Sequence, residues 1–192
     1  MLGISDYWAF VAAVLVFLAL PGPGTFALLS ATAQGGFRAG AAATFGVIGG
    51  DQVLMWLAAI GVAAVLQANE ALFKGLQYAG AAYLAWIGLK LLFAKAGAAR
   101  PASLRTGHFA RQAFLITLMN PKAIVFYMAF FPLFIDTAHH RGVVTFAAMA
   151  VTIAIVTLAY CLTLCAFAEA VSERVRAHRR LSLLLQRAAG LA

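Results

Sequence analysis

Charge is what this chain has least of. Asp and Glu together number 6 and Lys and Arg 14 among 192 residues, and no charged side chain interrupts the run from Tyr7 to Phe37. A soluble domain of this size cannot hide a composition that is 64% hydrophobic, because surface shrinks too slowly with size. The class that remains is an all-α, polytopic helical membrane protein. Cysteine is also scarce. Cys161 and Cys165 lie one helical turn apart in an apolar run that holds no His or carboxylate, which reads as packing rather than metal or redox chemistry. There is no HExxH, no Cys/His cluster and no pair of intramembrane carboxylates, so neither a membrane-embedded enzyme nor a metal or cofactor is expected. The start of the chain lacks the Lys and Arg of a cleavable signal, and its first apolar run is long enough to span.

A spanning helix needs about 20 mostly apolar residues. Runs of that kind cover residues 6–33, 40–66, 71–93, 110–135 and 143–168, and a sixth starts at Leu181 and stops at Ala192, too short to cross. Six transmembrane positions are therefore expected, the last one incomplete in this chain. The basic residues are unevenly placed. Arg38, then Lys90, Lys95, Arg100, Arg105 and Arg111, then Arg174, Arg176, Arg179 and Arg180 follow the first, third and fifth segments, while only Lys74 and Arg141 fall in the opposite loops. That asymmetry puts the N-terminus outside and the 94–110 and 169–180 loops in the cytoplasm. The net charge of +8 is then mostly a topology signal, and basic loops with no aromatics beyond Phe37 and Phe109 give no reason to expect nucleic acid as a partner.

The basic linker at 95–109 divides a single transporter domain, 1–192, into a first three-helix repeat (1–94) and a second (110–192) truncated in its last helix. An odd number of spans per half turns the second half upside down relative to the first, the inverted-repeat plan of many secondary transporters. Both first helices are broken by proline, at Pro21-Gly22-Pro23-Gly24 and at Asn120-Pro121. Pro21 and Pro23 carry no N–H, so the carbonyls of Phe17 and Ala19 lose their helical donors, and Pro121 does the same to Thr117. Unpaired backbone at membrane depth is tolerated only where protein or water covers it, so both breaks are expected to face an interior cavity. The half-helix starting near Gly24 and Thr25 turns N–H groups and partial positive charge into that cavity, and the one ending near Leu20 turns carbonyls. Asn120 followed by Pro121 reads as an N-cap and a first-turn proline. A zwitterionic amino acid suits such a pair of ends; a simple proline kink is the competing reading.

Two charges sit inside the apolar segments. Asp51 lies about twelve residues into the second, roughly 18 Å along a helix, and Lys122 lies at a similar depth in the fourth. Intramembrane charges of this kind are functional by default, with a structural ion pair as the alternative. Gly46, Gly49 and Gly50 beside Asp51 form a small-residue face that reads first as close helix packing. Phe17, Leu20, Phe26, Met55 and Met119 are candidate apolar pocket elements. Glu70, Asp136, His139, His140 and Arg141 read as solvated ends, and Tyr7, Trp8, Tyr83 and Trp86 as interface anchors or packing.

"PGPGT", "FGVIGGDQVLMWLA", "YAGAAYLAWIGLKLL" and "NPKAIVFYMAFFPLFID" together resemble the LysE/RhtB superfamily of bacterial amino-acid exporters, over residues 7 to 170, and are closest to its leucine-efflux-type members. The resemblance implies an inner-membrane exporter driven by the proton gradient. It points to Pro21, Gly22, Pro23 and Gly24, to Gly50 and Asp51, and to Asn120, Pro121 and Lys122, which together with Thr25 at the helix start are the expected substrate and ion pathway. Expected partners are an amino acid, neutral and aliphatic such as leucine, protons as coupling ion, the lipid bilayer and, as a candidate, a second copy in a homodimer. Alternatives are export of homoserine, threonine or lysine, and a passive channel or oligomeric scaffold.

Overall fold

The computed structural model describes residues 3–92, 104, 106–139 and 141–177. Six helices account for nearly all of them: α1 (Tyr7–Ala19), α2 (Pro23–Ala68), α3 (Glu70–Leu92), α4 (Phe109–Leu118), α5 (Pro121–Phe134) and α6 (Val143–Ala177). Among the described residues there is no strand, only a bridge between Ile4 and Ile135. The expected segments are recognisable in this order. The first is α1 plus the start of α2, the second the rest of α2, the third α3, the fourth α4 plus α5, and the fifth α6. The sixth segment and most of the linker lie outside the described residues; Leu104 of the linker is buried in the core.

The loop expected at 34–39 condenses into a turn of two residues. Gly35 and Gly36 leave helical geometry inside α2, and Gly36 has φ +69°, a left-handed conformation that side chains disfavour. The arm that follows the turn is met by α6, where the Glu169 carboxylate accepts from the Phe37 N–H at 2.8 Å. A carboxylate at a helix start satisfies an orphan donor and matches the positive end of the dipole.

Two stretches, Pro23–Val65 and Val143–Arg174, are each long and apolar enough to cross a membrane, and a third arises if α4 and α5, bent by 59°, count as one span. α1 is apolar but only 13 residues long. α3 has the length, 23 residues, but Glu70, Lys74, Gln77 and Lys90 lower its apolarity.

Small residues bring the helices together, as expected of membrane bundles. A side chain at Gly46 would collide with the Ala110 carbonyl of α4, and one at Gly80 with the Ala129 carbonyl of α5. Gly49 lies against the Phe114 ring, and Gly50 against Thr117. Where α1 meets α5 the contact is aromatic instead. Phe17 stacks on Phe126 at 3.7 Å and Phe126 on Phe130 at 4.5 Å, with Phe10 completing the cluster at 5.2 Å from Phe130. Side-chain hydrogen bonds add to the contacts: Gln52 Nε2 donates to Ala150 O on α6, Gln77 Nε2 to Pro132 O on α5, and the Tyr7 and Thr152 hydroxyls meet at 3.3 Å. At the α5–α6 turn Asp136 and His139 are solvated, as expected. The His139 hydrogen bond holds the Asp136 carboxyl below the usual carboxylate range.

The glycine seams separate two outcomes. Gly46→Ala should destabilise the protein by about 1–3 kcal/mol through overpacking against α4. Gly61→Ala, where nothing lies within 4 Å, should be neutral or stabilising by about 0.5–1 kcal/mol. Thermal unfolding of the purified protein in detergent distinguishes them, and equal midpoints for the two variants would contradict the packing described here.

Candidate functional site

The two breaks lie side by side, and their ends are made differently. α1 stops at Leu20, in extended geometry, and α2 begins at Pro23 with an extended Gly22 before it and no side-chain cap. On the other side α4 stops at Leu118 and α5 begins at Pro121. Here Asn120 is the N-cap, its side chain accepting from the Lys122 N–H at 3.1 Å, as the Asn-Pro spacing anticipates.

Lys122 joins the breaks. Its Nζ donates to the carbonyl of Leu20 at 2.7 Å and of Phe17 at 3.2 Å, and lies 4.4 Å from the centre of the Phe17 ring. The ammonium thus sits at the carbonyl end of α1, where the helix dipole is negative, and over an aromatic face. The Phe17 carbonyl, freed by proline from its helical donor, also accepts from the Leu20 N–H at 3.3 Å; the second carbonyl that Lys122 holds is Leu20 rather than Ala19. Thr117, freed by Pro121, recovers a donor from the Asn120 N–H at 3.1 Å. Gly22 lies beside this bridge, where a Cβ would come into ordinary contact with Lys122 Cδ at 3.4 Å.

Between the breaks is a cavity of about 50 Å³. That is room enough for water. Gly22, Gly24, Thr25, Asp51, Asn120 and Lys122 all line it. Asp51 is 5% exposed, accepts a hydrogen bond from the Tyr127 hydroxyl and interacts electrostatically with Lys122. Phe17, Leu20, Leu28 and Val47 supply apolar wall, and Thr117, Tyr160 and Cys161 add polar atoms. The Thr117 hydroxyl is buried without a hydrogen-bond partner.

Four of the ten expected pathway residues do not line the cavity. Pro21, Pro23 and Pro121 are exposed, against the expectation that the breaks face inward as a whole. A proline ring occupies the side of the chain where the N–H would have been, whereas the carbonyls that matter are held by Lys122. Gly50 packs on Thr117, so it serves the helix seam beside the cavity. Of the expected apolar elements, Phe17 and Leu20 line the cavity, Phe26 is half-buried outside its lining, Met55 belongs to the core and Met119 is 80% exposed. Cys165 packs near Gly40 as expected, while Cys161 reaches the cavity. Thr117, Tyr127 and Tyr160 were not singled out in the sequence. A hydroxyl three residues before Asn120 is a weak signal, and the Tyr127 hydroxyl is hidden within an aromatic run.

The LysE type translocator family model matches residues 15–191. The chain is similar to an uncharacterized membrane protein of Pseudomonas aeruginosa, 40% identical over 167 residues that cover 83% of this chain and 77% of that protein. It is similar to the leucine efflux protein of Salmonella typhimurium, 38% identical over 163 residues, covering 82% and 76%. The leucine efflux protein of an Enterobacter species is 36% identical over 166 residues, covering 82% and 77%. No solved structure matches the chain significantly.

Replacing Lys122 by Met keeps the side chain's length and removes its donors. Leaving a buried carbonyl unpaired costs about 1–3 kcal/mol, so Lys122→Met should lower the detergent-solubilised unfolding midpoint by several degrees. Met119→Leu, on an exposed side chain, should leave it within about 1 °C. A Lys122→Met protein as stable as the parent would mean that the ammonium does not hold the break.

Proposed function

The chain belongs to the LysE type translocator family, and from that membership we propose that it is an inner-membrane exporter of amino acids, with leucine or another neutral aliphatic amino acid as substrate and protons exchanged in return. The observation that carries the reading is the cavity between the two helix breaks, which gathers one buried carboxylate, one ammonium and an uncapped helix start at a single place. Relatives named leucine efflux protein support the substrate class, and the apolar wall of Phe17, Leu20, Leu28 and Val47 suits an uncharged side chain. Discrimination among aliphatic side chains should be loose, since one methylene in an apolar pocket is worth only about 1–3 kcal/mol.

The chemistry of the cavity gives the exchange a physical basis. A carboxylate held this far from water needs compensation in every state of the cycle. Two mobile cations can provide it, a proton and the α-ammonium of the substrate. If either one satisfies Asp51 and both together do not fit, loading one expels the other, and antiport follows. The carbonyl end of α1, which looks suited to the substrate ammonium when read from sequence, is held by Lys122. That directs the substrate ammonium to Asp51 instead. The cavity must widen for a whole amino acid to enter, and the two breaks are where helix segments can tilt without losing helical hydrogen bonds. In this reading the halves 1–94 and 110–192 are the inverted repeats that rock about the cavity. The basic asymmetry supports an external N-terminus with the 94–110 and 169–180 loops in the cytoplasm.

Cells loaded with labelled leucine should lose it faster when they express this protein, and an uncoupler should remove the gain. Asp51→Asn, which cannot exchange a proton at neutral pH, should abolish export against a gradient at unchanged expression level. Export by Asp51→Asn at the parental rate would place the proton coupling elsewhere. Acceleration of lysine or arginine efflux alone would overturn the neutral substrate.

A further inference from the structure

We propose that Thr117 and the start of α2 form a carboxylate subsite, and that this subsite makes a free α-carboxylate a condition of transport. The inference rests on the exporter reading and adds the group of the substrate that is recognised, and where. Three features meet here. First, the N–H groups of Gly24 and Thr25 are in the first turn of the arm 23–34 and have no acceptor within the helix; the first bond of that arm runs from Phe26 N to Gly22 O. Both residues line the cavity. Second, the start of α5 does not offer the same opportunity, because Asn120 caps it through its own side chain. The start of α2 has no side-chain cap.

The third feature is independent of the helix end. Thr117 is 3% exposed, lines the same cavity, and its Oγ1 has no hydrogen-bond partner. The hydroxyl points at the start of α2: a Cβ built on Gly24 would stand 3.8 Å from it. A threonine in a helix ordinarily relieves its hydroxyl on the carbonyl four residues back, as Thr32 does to Leu28, Thr44 to Gly40 and Thr152 to Ala148. Thr117 does not use that option. A donor left unsatisfied in a buried wall, beside two free amide donors and an ammonium, is matched by an anion with two acceptor oxygens. A carboxylate takes the amides with one oxygen and the hydroxyl with the other. Asp51 does not fill the role, since Thr117 Oγ1 has no partner although both residues line the cavity. The neutral end of the same substrate then extends along Leu28 and Val47, and its ammonium toward Asp51.

The test uses the purified full chain in proteoliposomes, with exchange of labelled leucine challenged by unlabelled leucine, leucinamide or isoamylamine. Leucinamide lacks the carboxylate charge and isoamylamine lacks the carboxyl group, so neither should compete with the parent protein. Thr117→Val keeps the shape that Gly50 packs on. It should raise the leucine concentration for half-maximal exchange about tenfold or more while leaving the maximal rate within a few fold, and should narrow the preference for leucine over leucinamide. Thr117→Ser should retain the preference. Without leucine, Thr117→Val should unfold at the same temperature as the parent or higher, because it removes an unsatisfied buried hydroxyl, and leucine should stabilise it less. Parental half-saturation and discrimination in Thr117→Val would overturn the subsite, as would a lowered unfolding temperature without leucine, which would make the hydroxyl structural. Parent protein that exchanges no amino acid would overturn the exporter reading and the subsite with it, whereas parent exchange with unaltered Thr117→Val kinetics removes the subsite alone.

Discussion

A carbonyl without a donor is the constraint from which the rest of this structure follows. In hydrocarbon there is no water to supply the missing bond, so a proline break inside a spanning segment has to be answered from elsewhere in the protein. Here the answer comes from the second break. Lys122, placed at the start of α5 by Asn120 and Pro121, donates to Phe17 and Leu20 at the end of α1. The two interruptions are thereby joined at Lys122, and a charge that would be costly in lipid is held by carbonyls, an aromatic face and a helix dipole.

Everything around the device serves its placement. The glycine seam of Gly46, Gly49 and Gly50 lets α2 lie against α4 closely enough that Thr117 and Asp51 open on one cavity. The rings of Phe17 and Phe10 pack α1 on Phe126 and Phe130 of α5, and Lys122 reaches across beside that contact. A bond between an ammonium and two carbonyls is strong but replaceable: the acceptors are equally suited to water or another cation. In the export cycle proposed above, such a contact is the one to give way when substrate or proton changes the charge nearby.

The segment order, the breaks, the Asn120 cap and the presence of Asp51 and Lys122 in one region were legible in the sequence, because each depends on local chemistry; that the Lys122 ammonium bonds carbonyls and not the Asp51 carboxylate was not. Proline lacks a donor wherever it sits, and a charge in an apolar run has few places to go. The azimuth was not legible. A helix that is apolar nearly all round carries no pattern to say which face turns inward. That is why Pro21, Pro23 and Pro121 are found outside, Met119 exposed and Gly50 in a seam. The same limit hid Thr117. Its role depends on the absence of a bond, and whether a threonine folds back on its own helix is decided by the neighbours it meets.

Cys161 offers the most direct measurement of the central claim, that substrate occupies the cavity between the breaks. It is a free thiol lining that cavity, whereas Cys165 packs away from it near Gly40. In a Cys165→Ala background the alkylation rate of Cys161 by a small maleimide reports access to the cavity alone. Saturating leucine should slow that reaction several-fold, Asp51→Asn should weaken the protection, and isoamylamine should not provide it. A rate indifferent to leucine at concentrations that saturate exchange would mean that the substrate passes elsewhere.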